Sequence, residues 1–317
     1  MKRIISSGSI AMDFLFETND LPVNDGFARI YSEKMLPGGS SANVIVAAAN
    51  FGMDTYQVGK VGDDVMGEKF IQSLKDDNVG TDYIYVKEGG VTMHTYVVTA
   101  PGGKHTILAN FGTCMLDFKN EELPADIVEK TDIVYTDLFS PDVSDYLLME
   151  GARLGKTVVY NMEAVTSFIE TCGTPRSVIE NGLSNCTLLI GGDAPFLELA
   201  PEEMQDDIEA AVKYVSEKYD VPDGAICTLG SKGAIWYDGK EMHRSAAYHV
   251  ENVVDTTGCG DAFLGSIMYA FYEKGMDRDE AMDFANAAAA IKCRYKGARL
   301  RVSESEVNDF RKFERTF

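Results

Sequence analysis

Residues 249–275, HVENVVDTTGCGDAFLGSIMYAFYEKG, decide how the chain is read. An apolar, β-branched run at Val253 and Val254 predicts a strand, and Thr257-Gly258-Cys259-Gly260 predicts a tight turn. From Asp261 onward Leu264, Ile267, Met268 and Phe271 recur at helical spacing, with Gly275 placed to end the helix. Glycines just before a helix let the backbone turn sharply and bring bare N–H groups up to a ligand. Those first N–H groups lack partners inside the helix, and the helix dipole adds partial positive charge, so the turn suits an anion, most often a phosphate. Asp261 stands at its mouth. A carboxylate there either caps the helix or takes the proton from a hydroxyl that attacks a bound phosphoryl group.

The bulk of the chain narrows the partners. Its 317 residues can bury a large core, and 45% hydrophobic with 25% charged residues is ordinary globular composition. A net charge of −21 argues against nucleic acid or an anionic membrane surface, though not against ATP, which a local cradle and a metal ion can hold. The six cysteines show no C-x-x-C pairing, so neither structural zinc nor a disulfide framework is expected. No apolar run reaches membrane-spanning length, the start of the chain does not read as a signal peptide, and a reducing cytoplasm is the expected compartment.

Working outward, residues 3–10 predict a first strand with Asp13 shortly after it, a position where Asp is ordinarily a turn former. Residues 27–36 predict a strand leading into Pro37-Gly38-Gly39-Ser40-Ser41-Ala42-Asn43 and an alanine-rich helix stopped at Gly52. Asp63 and Asp64 read as the acidic start of a helix from 66 to 75. Residues 91–109 enclose Pro101-Gly102-Gly103-Lys104, a hairpin turn. His94 and His105 flank it without metal-ligand spacing and read as packing residues. From 125 on, short apolar strands alternate with helices, including a long helix over 201–218, which predicts a parallel sheet covered on both faces. Such a sheet binds ligands at the carboxyl ends of its strands. Thr228-Leu229-Gly230-Ser231-Lys232-Gly233 is by composition a strand-to-strand turn, with Trp236 behind it for packing, and no Walker A string occurs. Residues 285–290, ANAAAA, predict a closely packed helix.

Four strings in order, G-S-I-x-x-D at Gly8, G-G-x-x-A-N at Gly38, T-L-G-x-x-G at Thr228 and D-T-T-G-C-G-D-A-F at Asp255, closely resemble the signatures of the PfkB sugar kinases, the ribokinase-like family. The resemblance implies one domain over 1–317 with a three-layer α/β/α fold, a central mostly parallel sheet, and a small β-sheet lid from 14–36 and 91–110. That lid would shut water out of the reaction and often serves as a homodimer surface. It implies an ATP-dependent kinase that moves the γ-phosphoryl group to a hydroxyl of a sugar or sugar derivative. Asp261 would be the base and the amides of Gly258, Cys259 and Gly260 the anion hole. Asp13, Gly38, Gly39 and Asn43 would hold the acceptor, and Asn43 would donate to one of its hydroxyls. Thr228, Gly230, Ser231, Gly233 and Asn286 would line the nucleotide. Mg²⁺ is the implied cofactor, and Asp255 resembles the carboxylate that helps hold a monovalent cation such as K⁺ in some members.

The chain also departs from the family. Where an N-E-x-E string is common it reads Gly192-Asp193-Ala194-Pro195, leaving Asp193 alone to reach Mg²⁺ through water. Ser40 and Ser41 replace the Lys-Gly of ribokinases, and Phe139 stands where a sugar-side glutamate is expected, so ribose as acceptor does not follow. Two alternatives remain open: a nucleoside kinase on the same scaffold, with Phe14, Phe111 or Phe139 as its aromatic wall, and a non-catalytic sugar-binding regulatory protein.

Overall fold

Strand β1 (Arg3–Ser7) shows how the layers arise: successive side chains point to opposite faces, so Ile4 enters one apolar core and Ile5 the other. The computed structural model describes residues 1–102 and 104–314; Gly103 of the expected hairpin turn and 315–317 of the expected domain lie outside them. After β1 come β2 (Ala11–Thr18), β3 (Ile30–Gly38), α1 (Ser40–Asn50), β4 (Asp54–Gly62), α2 (Val65–Asp76), β5 (Gly80–Lys87), β6 (His94–Ala100) and β7 (Lys104–Asn110). The second half alternates as β8 (Ile133–Thr136), α3 (Pro141–Arg153), β9 (Thr157–Met162), α4 (Thr166–Thr171), α5 (Arg176–Asn185), β10 (Leu188–Gly192), α6 (Asp193–Leu199), α7 (Ile208–Lys218) and β11 (Ala225–Thr228). It closes with β12 (Ala234–Tyr237), β13 (Met242–Ser245), α8 (Cys259–Ile267), α9 (Arg278–Lys292) and α10 (Glu304–Glu314).

Among the described residues the strands form two sheets. The larger has nine strands in the order β13-β12-β11-β10-β9-β8-β1-β4-β5, parallel from β11 to β5 and antiparallel at β12 and β13. Helices α1, α2, α8, α9 and α10 cover one face and α3, α5, α6 and α7 the other, as the alternating run demanded. The smaller sheet, β3-β2-β6-β7, is built from the two segments expected to form a lid.

Three local expectations are corrected. The strand expected at Val253 and Val254 is an exposed loop; both side chains are half in water, and the N–H groups of Val254 and Asp255 bond to the Cys293 carbonyl instead of a ladder. The helix expected over 201–218 begins only at Ile208, where the Asp207 side chain accepts from Ala210 N, after a separate 3₁₀ turn at Glu202–Met204. Asp13 lies inside β2 and is not a turn residue, since β1 ends at Ser7 and β2 has already begun at Ala11. No helix among the described residues is long and apolar enough to cross a membrane.

Candidate active site

The late helix and the early double-glycine bend meet. Gly39 turns the chain into α1 with φ 87°, tight against the Ser9 carbonyl, where a Cβ would come within 2.5 Å. Gly258 turns it into α8 with φ 76°, and a Cβ there would lie 1.9 Å from the Ala298 carbonyl. The two helices pack through small residues, since a Cβ on Gly265 of α8 would meet Ala47 of α1 at 2.5 Å. This close approach joins their first turns: Ser40 Oγ donates to Asp261 Oδ1 at 2.7 Å and Asn43 Nδ2 to Oδ2 at 2.8 Å. Burial raises the Asp261 carboxyl above the ordinary aspartate range, against the pull of those two bonds and of the Lys292 charge. Asn43 Oδ1 is buried without a partner, and Nδ2, which gives one hydrogen to Asp261, keeps a second.

Asp261 opens onto a cleft of about 620 Å³ whose wall also carries Asp13, Gly39, Asn43, Gly258 and Gly260. Asp13 is fixed by Thr95 Oγ1, 2.6 Å from its Oδ1, and is raised by burial. Gly38 lies outside the wall but makes room for Asp13, since its Cβ would fall 1.9 Å from Asp13 Oδ2. A second cleft of about 560 Å³ holds Thr228, Gly230, Ser231, Gly233, Asn286 and Cys259. Thr228 and Gly260 belong to both walls, and around Gly260 a Cβ would meet nothing within 4 Å. The two clefts thus communicate at the start of α8. Cys259 Sγ is 3.0 Å from Cys293 Sγ at the side of the second cleft.

Two residues of the metal-side expectation lie off both walls. Asp193 opens α6 next to the wall residue Gly192, with Oδ1 accepting from Ala194 N. Asp255 uses Oδ1 for Thr257 N and Oδ2 for Gly297 N, both at 2.9 Å; burial works against its charge, yet these bonds hold the carboxyl below its usual range. Phe14 is corrected as an aromatic wall: alternation along β2 turns Asp13 to the cleft and Phe14 to the opposite face, where it stacks on Tyr96 at 5.2 Å. Phe111 and Phe139 do line the cleft, nearly parallel at 12° with ring centres 6.5 Å apart.

Sequence reasoning missed two acids. Glu163, just past β9, lines the first cleft and receives Asn161 Nδ2 at 3.1 Å. Its deep setting and the charges of Asp261 and Asp137 push its carboxyl up, to about 8, although water in the open cleft reaches the side chain and screens part of this. Asp137 lies fully buried behind the wall, bonded by Ser9 N, Ser9 Oγ and Phe139 N, and burial raises it to about 6. The only signal for Glu163 was its place at the carboxyl end of a parallel strand.

A nine-stranded α/β sheet with a second small sheet, beside two adjoining clefts of which one is lined by carboxylates, is the architecture of a ribokinase-like kinase. The pfkB family carbohydrate kinase model matches residues 1–305, and the chain belongs to that family of sugar phosphotransferases with alcohol acceptors. It is 27% identical to an ATP-dependent ribose-1-phosphate kinase of Halopiger xanaduensis, over 94% of each chain. Its fold is similar to a putative ribokinase from Agrobacterium tumefaciens at TM-score 0.85 and 21% identity, covering 100% of this chain and 99% of that one. It is also similar to a Burkholderia thailandensis nucleoside kinase in complex with inosine at TM-score 0.78 and 17% identity, covering 99% and 98%.

Proposed function

We propose that the chain transfers the γ-phosphoryl group of ATP to a hydroxyl of an uncharged polyol, with Asp261 as the base. The observation that carries this is the joint between the two clefts at Gly260, one residue before a carboxylate held by Ser40 and Asn43. The acceptor hydroxyl gives its proton to Asp261 as its oxygen attacks the phosphorus. Amides of Gly258 and Gly260 face the charge that builds on the transferred group, and the Cys259 N–H, which here bonds the Thr256 carbonyl at 3.2 Å, joins them only when that turn bond opens. Asp13 takes two neighbouring hydroxyls, with Gly38 and Gly39 keeping the backbone bare beside it and Asn43 donating to another. ATP lies along Thr228, Gly230, Ser231, Gly233 and Asn286.

Mg²⁺ binds chiefly through nucleotide phosphates and water, so it needs few protein donors, and the oxygen donors here suit it. Glu163 on the cleft wall, and Asp193 through water, would hold it; when bound it offsets phosphate charge. The small sheet bearing Asp13 and Thr95 acts as the lid, and its far face, with Tyr96 and Leu108 exposed, supports a homodimer. Six free thiols fit a reducing cytoplasm.

The acceptor side is acidic. Asp13, Glu163 and Asp261 line it, and among the described residues no lysine or arginine does. A sugar phosphate or sugar acid would meet repulsion with no cation to offset it. An ATP-consumption screen tests this: turnover is expected with neutral ketoses, aldoses or nucleosides, and turnover confined to phosphosugars or sugar acids sinks the assignment. The parallel Phe111 and Phe139 rings favour, as a second reading, an acceptor carrying a flat apolar group, as a nucleoside does. Thermal shifts with nucleosides against free sugars separate the two.

A further inference from the structure

Lys292 ends α9 fully buried, an unusual place for a lysine unless its charge is used. Its Nζ donates to the main-chain carbonyl of Asp255 at 2.8 Å. That carbonyl belongs to the loop leading into the Gly258 turn, and the loop is tied to the end of α9 by Val254 N and Asp255 N on the Cys293 carbonyl. The positive charge helps hold the Asp255 carboxyl down, works against the burial that raises Asp261, and acts on the Cys259 thiol, so it reaches the whole base of the turn.

The residues around Asp255 do not fit a bound monovalent ion. Both carboxylate oxygens already accept main-chain N–H groups, and the carbonyl oxygen is taken by an ammonium. A second cation at this carboxylate would sit beside a like charge in a poorly solvated place, where repulsion is strong.

We infer that Lys292 is a resident cation that replaces an exchangeable one: it holds the 255–258 loop in place and supplies positive charge behind the anion hole, so the enzyme works without K⁺. It is a positioning residue, since it touches neither the transferred group nor the acceptor. The inference rests on the kinase reading above, and the experiment separates the two.

Initial rates and melting temperatures of the wild type are measured in K⁺, Na⁺ and tetramethylammonium at constant ionic strength, then repeated for Lys292→Met, Lys292→Ala and Lys292→Arg. The wild type is expected to show the same rate and melting temperature in all three salts. Lys292→Met should lose about tenfold or more in kcat with KM little changed, as removal of charge near an anion hole does. Lys292→Ala, with space for a small ion, should regain rate and melting temperature in K⁺ but not in tetramethylammonium. Wild-type activation by K⁺ over Na⁺ overturns the inference, as does a Lys292→Met enzyme of full turnover, or a Lys292→Ala enzyme indifferent to K⁺. If neither neutral variant folds, the wild-type salt response decides, with Lys292→Arg expected to match it. Should no acceptor support ATP consumption, the kinase reading fails on its own, and the melting temperatures in K⁺ still test the lysine.

Discussion

Asp261 is held ready by two donors, and this makes its replacement diagnostic. Asp261→Asn keeps the shape and loses the proton acceptor, so kcat should fall by about two to four orders of magnitude while ATP affinity, measured by calorimetry, stays near wild type. Glu163 and Asp137 carry a pH signature. Both are raised in the folded state: Asp137 to about 6 by burial, and Glu163 to about 8 by desolvation and the Asp261 and Asp137 charges, an effect that cleft water at its exposed side chain reduces. A carboxyl raised by folding costs nothing below its unfolded pKa and costs more as pH climbs toward the folded one. Their contribution to stability therefore falls from about pH 4 upward, Asp137 first and Glu163 up to about pH 8. Glu163→Gln should melt higher than wild type above that value and no higher at acid pH, as thermal melts across the range would read. Neither Glu163 nor Lys292 could be singled out in sequence. One reads as a polar residue after a strand and the other as a basic residue in a helix's last turn, where cations are common. Depth gives Lys292 its meaning and the carboxylates gathered around the cleft give Glu163 its own, and both are tertiary properties. The glycines at 39 and 258 were legible because a left-handed turn into a helix has few other solutions.

The contact between α1 and α8 decides whether the site exists. It depends on Gly265, whose missing side chain lets Ala47 and the Val44 carbonyl approach. Gly265→Leu should cost about 1–3 kcal/mol or more by overpacking, read by denaturant unfolding. It should also cut turnover beyond the loss of folded protein, because Asp261 is drawn away from Ser40 and Asn43. Helical spacing made α8 readable, and its apolar face is buried from Ala262 to Ile267. Apolar composition alone misled at Val253 and Val254, whose side chains are half exposed in a loop, and the acidic stretch 201–207 joins no α-helix before the Asp207 cap, forming only a 3₁₀ turn.

For the molecule as a whole, the small sheet presents two unlike faces. Toward the cleft it offers Asp13, Thr95 and Ile107; on the other side Phe14, Phe16 and Tyr96 stack, with Leu108 61% exposed beside them. In the proposed homodimer this face would be the one that is covered. Leu108→Asp should convert a dimer to monomers in sedimentation velocity; an unchanged sedimentation coefficient at dimer mass would rule out this face. The alternating strands and helices of the second half announced the large sheet, but which way each lid residue points follows only from strand register.

Ser40 and Asn43 reach Asp261 across 221 and 218 residues of chain. During synthesis the ribosome therefore releases the glycine bend long before its carboxylate exists. With Asp261 as the proposed base, a prematurely ended polypeptide would carry the glycine bend without its proton acceptor, and it should consume no ATP.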